Sequence, residues 1–310
     1  MKFTYPFYSL MLVMLNLTLN LFQYQNLYAQ QSASDSLTTL IKTDQADTTK
    51  VIHLNNLGWE LQYVNPDTAI LLAKQALELA TEIAEGPIAA KNVAIKKRAE
   101  KGIAQSYNNM GRFYYSIAEY EASVSCHLKA LEKFTELNFK IGISSTYTNI
   151  GKVYSAQGDY PKALEYYFNA LKIDKELEDK WDIAKDLNNI GSIYNNLGNY
   201  KIALDYFLKG LSISTAIGDK YLMSALIANT GLTYQNLNEL GKALEYYFKA
   251  LKISEELSDK YSVAIHLGNI GVVYKKLGDN SKALEYYFKG LEASESIGAK
   301  RLTEIGRAHV

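Results

Sequence analysis

Cysteine and histidine, which are common in nucleophilic and metal chemistry, are few and scattered along the chain. There is one cysteine, Cys126, and the histidines before the last few residues are His53, His127 and His266. The sequence lacks a His-Glu-x-x-His helix, a paired-cysteine metal spacing and a glycine-rich phosphate loop. Catalysis needs several groups converging in a pocket. We therefore expect no enzyme activity, no cofactor and no metal in these residues; any catalytic domain would lie in sequence beyond residue 302.

The chemical residues that do occur have simple structural interpretations. Cys126 is expected to be a small buried apolar residue, and with no second cysteine it can form no internal disulfide. His127 stands where other copies of a repeat carry an aromatic residue, and His266 lies on a predicted helix. None of the three histidines has ligand spacing with another, so ordinary packing or surface roles are expected. Acidic pairs such as Glu255-Glu256 are expected to face water.

One polar residue type recurs in a regular pattern. Asparagine stands two residues before a recurring glycine at five positions, called here the Asn ladder: Asn109, Asn149, Asn189, Asn229 and Asn269. An amide both donates and accepts hydrogen bonds, so it suits a peptide backbone whatever its sequence. Arg112 and Lys152 lie one helical turn after a ladder residue and Lys185 one turn before. Two uses stay open for the ladder: contact with a bound partner, or bonding between neighbouring repeats.

The ladder belongs to a 40-residue repeat. Glycines recur at Gly111, Gly151, Gly191, Gly231 and Gly271, and tyrosine and alanine recur in phase with them. The string Lys-Ala-Leu-Glu-Tyr-Tyr-Phe begins at Lys162, Lys242 and Lys282. Such a period is typical of a solenoid, in which each unit packs on its neighbours.

Each repeat predicts two helices. Tyr147, Ile150, Gly151 and Tyr154 follow the spacing of one helical face, and residues 158–161 predict a turn before a second helix. Glycine inside a helix costs about 1 kcal/mol relative to alanine. Glycine at the same position in five copies therefore predicts close approach of the paired helix, with aromatic residues filling the space around the contact.

These residues resemble the tetratricopeptide repeat family. The matching pattern is Asn-Ile-Gly at 149–151, Tyr154, Gly-Asp-Tyr at 158–160, Ala163-Leu164, Tyr167 and Ala170-Leu171. The resemblance implies an all-α, right-handed superhelical solenoid of antiparallel helix pairs over residues 50–302. Six repeats are predicted, at 50–85, 103–138, 143–178, 183–218, 223–258 and 263–298. The usual repeat of the family is shorter, at about 34 residues, so the longer period here predicts longer helices.

The first predicted repeat differs from the others. Its glycine, Gly58, precedes Gly111 by more than one period, so additional residues fall near 86–101, where Gly86-Pro87 breaks the pattern. An atypical first repeat is expected, because the end of a solenoid faces water.

The two ends of the chain are expected to lie outside the fold. Residues 1–29 resemble a secretory signal peptide, with Lys2 followed by a short, interrupted apolar run, and 30–49 predict a polar linker. The period fails after residue 302, and 303–310 match the translation of a sequencing adapter rather than a seventh repeat. We therefore expect an exported, periplasmic or cell-envelope protein whose sequence continues beyond this chain.

The resemblance implies a non-catalytic scaffold that binds a protein or peptide in a concave groove lined by the first helices, where the Asn ladder contacts the partner's backbone. The predicted partner-binding residues are the five ladder asparagines with Lys152, Lys185 and Arg112. With 33 basic and 33 acidic residues, nucleic acid is not expected as a partner. The alternative is the sensor region of a longer membrane-bound histidine kinase, nucleotide cyclase or transcription regulator, attached to the membrane only through sequence beyond this chain.

Overall fold

The computed structural model describes residues 34–45 and 47–297. The predicted signal peptide at 1–29 and the predicted adapter segment at 303–310 lie outside this range. The chain divides into two compact units, one ending at Gly142 and the other beginning at Ile143.

The first unit is built of helix pairs. Its helices are α1 (34–43), α2 (Thr48–Leu61), α3 (Pro66–Glu85), α4 (Pro87–Lys91), α5 (Val93–Ser116) and α6 (Tyr120–Glu136). α2 packs on α3, α3 on α5, and α5 on α6. We call the first long helix of each pair an A helix and the second a B helix, so α2 and α5 are A helices and α3 and α6 are B helices.

The second unit continues the pattern with a strict period. Its helices are α7 (Lys140–Ala156), most of which lies in this unit, α8 (Tyr160–Glu176), α9 (Lys180–Asn196), α10 (Tyr200–Ile217), α11 (Lys220–Asn236), α12 (Leu240–Glu256), α13 (Lys260–Lys276) and α14 (Asn280–Ser296). The A helices begin one period apart, and all eight helices except the slightly longer α10 have the same length. The additional residues of each repeat therefore lengthen its helices, as expected.

Local sequence sets the helix ends. Asp159, Asp179 and Asp259 cap the helices that follow them by accepting hydrogen bonds from backbone N–H groups of the first turn. The three-residue turns between helices need one residue with positive φ, which Gly158 supplies at +78° and Ala118 supplies at +62°. Short turns of this kind make consecutive helices antiparallel.

The recurring glycine lies against an aromatic ring of the paired B helix. A Cβ atom built on Gly191 would stand 2.7 Å from the ring of Phe207, and one on Gly151 would stand 2.7 Å from Tyr167. The predicted steric need is thus confirmed, and its cause is a ring lying flat on the A helix. In the second repeat that ring is His127, which is almost fully buried.

The structure corrects the prediction of a linker. Within the predicted linker at 30–49, residues 34–43 form helix α1. Ile41 packs on the apolar cluster that includes Val51 and Leu54 of α2, and this burial accounts for the helix. Residues 93–101 of the insertion lengthen α5 at its N-terminus, so α5 has 24 residues.

The described residues form helices and turns, without strands, and the expected all-α fold of antiparallel helix pairs is confirmed. None of the helices in the described ranges combines the length and apolar character that crossing a bilayer would require.

Candidate partner-binding surface

The Asn ladder has two different roles in the structure. In the first unit the amide of Asn109 donates to Oδ1 of Asn55 at 3.0 Å, and Asn55 donates in turn to Ser106 at 2.9 Å. In the second unit Asn229 donates to Oδ1 of Asn188 at 2.8 Å. These bonds join neighbouring A helices, so at these two positions the ladder braces the stack.

Two other ladder residues, Asn189 and Asn269, lack such a bond. The amide nitrogen of Asn189 is buried and finds no acceptor among the described residues. The side chain of Asn269 is half-buried, and within residues 34–45 and 47–297 it makes no hydrogen bond. Asn149 is buried in the second unit, on α7.

The residue at one position of the preceding A helix differs between ladder asparagines that form the bracing bond and those that do not. The bracing acceptor is the residue just before the ladder position in the preceding A helix, which we call the acceptor position. Asn55 and Asn188 occupy it where bonds form. For Asn269 it holds Ala228, which has no polar side chain. For Asn189 it holds Thr148, whose hydroxyl donates instead to Asp186 at 3.1 Å. Asn189 and Asn269 therefore lack the bracing bond that Asn109 and Asn229 make.

The predicted cations are held in different ways. Lys185 pairs with Asp182 and lies over the ring of Trp181, 4.5 Å from its centroid. Arg112 stacks on Trp59 at 3.8 Å, and burial lowers the pKa of its guanidinium, partly opposed by Tyr63. Lys152 is exposed on α7.

The sequence did not predict a cleft between the A helices of the first unit. We call it the α2–α5 cleft; its volume is about 390 Å³. Its lining residues are Thr48, Thr49, Val51, Ile52, Asn55, Asn56, Arg98, Lys101, Gly102 and Gln105. Arg98 and Lys101 belong to the insertion, which has no counterpart in the other repeats, so the repeat pattern gave no signal for the cleft.

A buried carboxyl pair lies in the second unit. Asp174 of α8 and Asp186 of α9 are 2% and 0% exposed. Burial and the neighbouring Asp174 raise the pKa of Asp186 to about 8, so at neutral pH Asp186 keeps a proton that it donates to Asp174. Thr148 donates to the same Asp186 carboxyl.

Two repeats further along the second unit, the corresponding positions hold Ser254 and His266. Ser224 lies 2.9 Å from the Ser254 hydroxyl and 3.3 Å from Nε2 of His266. Burial lowers the pKa of His266 to about 4, so its ring is neutral at neutral pH. Because these groups are buried, they contribute to packing between the helix pairs, and Nδ1 of His266 makes no hydrogen bond among the described residues.

Cys126 and His127 are both buried. Cys126 is buried in an apolar cluster with Met110 and Phe113, and burial raises the pKa of its thiol. Nδ1 of His127 lies 2.9 Å from Oδ1 of Asn108. Across the part of the chain that the structure describes, no three potential ligands gather as a metal site would require.

Solved structures share this fold at low sequence identity. BtubC (BKLC) from P. vanneervenii superposes with a TM-score of 0.63 at 20% identity, covering 76% of this chain and 93% of its own. Aspartyl phosphate phosphatase F from Bacillus subtilis gives 0.64 at 18% identity, covering 90% and 71%. A Rap protein complexed with Competence and Sporulation Factor gives 0.62 at 15% identity, covering 90% and 80%. These similarities concern the fold.

At the level of sequence, no curated protein matches the chain. The family model for the tetratricopeptide repeat matches residues 102–176, 182–256 and 221–296, which together make up more than half of the chain. The matched ranges contain the ladder, the glycines and the aromatic positions that form the helix pairs described above. The chain therefore belongs to the tetratricopeptide repeat family.

Proposed function

We propose that this protein is a non-catalytic interaction scaffold that holds an extended segment of a partner protein against the A helices of its second unit. The observation that carries the proposal is Asn269, a half-buried amide that lacks the acceptor its counterpart Asn229 has. A polar group of this kind gains a hydrogen bond when a peptide backbone is placed beside it. A structural neighbour solved with a bound factor supports the use of this fold for holding a partner.

The surroundings of Asn269 suit a peptide. Helical spacing puts Ile265 and Val272 on the same face as Asn269, and both are half-buried. Leu232, which occupies the position of Val272 one repeat earlier, is 37% exposed. An amide between apolar side chains can bond a main-chain group while its neighbours cover an apolar side chain of the partner.

The proposal separates two ladder residues that look identical in the sequence. Peptides that bind the full chain are first selected from a displayed library of random 12-residue sequences. Asn269→Ala should then weaken the selected peptides about 2- to 10-fold, the equivalent of one hydrogen bond, with an unchanged melting temperature. Asn229→Ala is the matched control, and it should lower the free energy of unfolding by about 1 kcal/mol because the Asn188 bond is lost.

Two results would contradict the proposal. One is a failure of the library to yield any peptide that binds the folded chain. The other is the selection of peptides that bind wild type and Asn269→Ala equally well, since the amide would then contribute nothing. Isothermal titration for affinity and thermal melting for stability, run on the same preparations, distinguish these cases from simple unfolding.

A further inference from the structure

The α2–α5 cleft has a composition unlike the rest of the molecule. The whole chain is electrically balanced, but Lys91, Lys96, Lys97, Arg98 and Lys101 fall within a short stretch that contains one acid, Glu100. Two of these cations, Arg98 and Lys101, line the cleft. The insertion therefore brings a local excess of positive charge to the A-helix surface of the first unit.

Acidic side chains of the described residues do not neutralise the positive charges of Arg98 and Lys101. Arg98 has no acidic partner among the described residues. The ammonium of Lys101 lies 4.2 Å from the centroid of the Phe139 ring, a contact that holds the side chain in place and leaves its charge intact. The acid Glu100 is not among the residues that line the cleft. The cleft thus presents two cations that a negative ligand can pair with.

The neutral lining residues complete the site. Asn56 stands at the ladder position of the first repeat and Gln105 lies one turn before Asn109; both are exposed, and within the described ranges their amides make no hydrogen bond. Val51 and Ile52 supply an apolar wall, and Gly102 lets the two helices approach, since a Cβ there would stand 2.9 Å from Val51. None of the ten lining residues is aromatic, so the cleft offers no surface for stacking nucleobases.

We propose that the α2–α5 cleft binds an acidic segment of a partner protein, with Arg98 and Lys101 pairing with its carboxylates and Asn56 and Gln105 bonding its main chain. The inference rests on the proposed scaffold function and assigns the chemistry of the bound segment. The volume of about 390 Å³ lies near the lower end of the roughly 300–1,000 Å³ typical of ligand sites. The cleft therefore takes a short stretch of chain rather than a folded domain.

The experiment uses the full chain and two pools of fluorescein-labelled octapeptides. One pool carries four Asp or Glu residues among Ala, Gly, Leu and Ser, and the other carries Asn or Gln at the same positions. Fluorescence polarisation should show at least about tenfold tighter binding of the acidic pool, as expected for charge-assisted bonds. The double variant Arg98→Gln/Lys101→Gln should abolish that preference, and the preference should weaken with added salt.

The matched control is Lys96→Gln/Lys97→Gln, which removes the same charge from the same helix outside the cleft and should keep the preference. Equal binding of the two pools, or equal loss in both double variants, would overturn the inference. Displacement of the acidic pool by a single-stranded 12-nucleotide DNA more readily than by unlabelled acidic peptide would also overturn it, in favour of a nucleic acid site.

The same measurements separate this inference from the proposed function. If library-selected peptides show no acidic preference but lose affinity in Asn269→Ala, the scaffold function stands and the acidic cleft is wrong. If neither the pools nor the library give a peptide that binds the folded chain, both are wrong.

Discussion

At the scale of single residues, the tightest constraint is the glycine of each A helix. Gly191 faces the ring of Phe207, and an added Cβ would stand 2.7 Å from it, closer than packed carbon atoms approach. Overpacking costs about 1–3 kcal/mol, and the better helix propensity of alanine offsets up to about 1 kcal/mol. Gly191→Ala should therefore lower the free energy of unfolding by roughly 1–2 kcal/mol, measured by urea denaturation.

The chain contains its own control for this prediction. Gly268 also lies inside an A helix, but nothing stands within 4 Å of an added Cβ. Gly268→Ala should therefore raise the free energy of unfolding by about 0.5–1 kcal/mol, through helix propensity alone. Destabilisation by both substitutions would show that the ring contact is not what makes Gly191 necessary.

The residue scale also shows what the sequence could not predict. The five ladder asparagines are equivalent by position, yet Asn109 and Asn229 brace the stack while Asn269 is left without an acceptor. The difference depends on a side chain in the preceding repeat, Asn188 or Ala228, and on where the hydroxyl of Thr148 donates. A pattern read along one helix carries no information about such a bond between helices.

At the scale of elements, the carboxyl pair between α8 and α9 makes stability depend on pH. The groups that face it are Ser144 and Thr148 on α7, with Lys185 and the more distant Asp182 on α9 itself. The folded state holds a proton on Asp186 up to a pKa of about 8, whereas the unfolded chain releases it near the ordinary pKa of 3.8. The contribution to stability is therefore complete below pH 4 and is lost as the pH rises to 8.

Asp186→Asn should flatten this dependence. The amide can donate to Asp174 at every pH, so the urea midpoint of the variant should exceed that of wild type at pH 8 and differ less at pH 5. Asp182→Asn, which alters an acid paired with Lys185 outside the buried pair, should leave the wild-type slope largely in place. Parallel slopes for wild type and Asp186→Asn between pH 5 and 8 would disprove the shared proton.

The elements themselves were largely predictable, because the period places each apolar position and each turn. The failures lie where the period is absent. The insertion could not be assigned from the repeat, and its second half proved to extend α5. The polar composition of 30–49 concealed the apolar residues, such as Ile41, that α1 packs onto α2 and α3. In both segments, burial of apolar side chains against other helices stabilises a helix that the local sequence did not indicate.

At the scale of the whole molecule, the 40-residue repeat should be removable as a unit. Deleting residues 220–259 joins Asp219 to Lys260 and so restores an Asp-capped A helix. Because stability in repeat proteins is carried by neighbouring contacts, the shortened chain should unfold cooperatively with a smaller urea m-value. In the shortened chain α9 would be the A helix that precedes α13. Asn188 would then occupy the acceptor position for Asn269, in place of Ala228.

A deletion of half the length tests the same point. Removing residues 240–259 takes out α12 alone and leaves α11 without its B helix. This variant should lose more helical circular dichroism than the 40-residue deletion, although fewer residues are missing. Similar losses per residue in the two deletions would show that the helix pair is not the structural unit.

The buried polar side chains differ from one helix pair to another, and this difference has a consequence for folding. The B helices α8, α12 and α14 share the string Lys-Ala-Leu-Glu-Tyr-Tyr-Phe, so their surfaces alone do not determine which A helix each should meet. Buried polar side chains distinguish the pairs. Asp174 interacts with Asp186, whereas Ser254 and His266 both contact the hydroxyl of Ser224. A chain misaligned by one repeat would place Asp174 opposite Leu226 and leave a carboxyl unpaired in apolar surroundings. The buried polar groups thus act as a check on the order in which nearly identical repeats assemble.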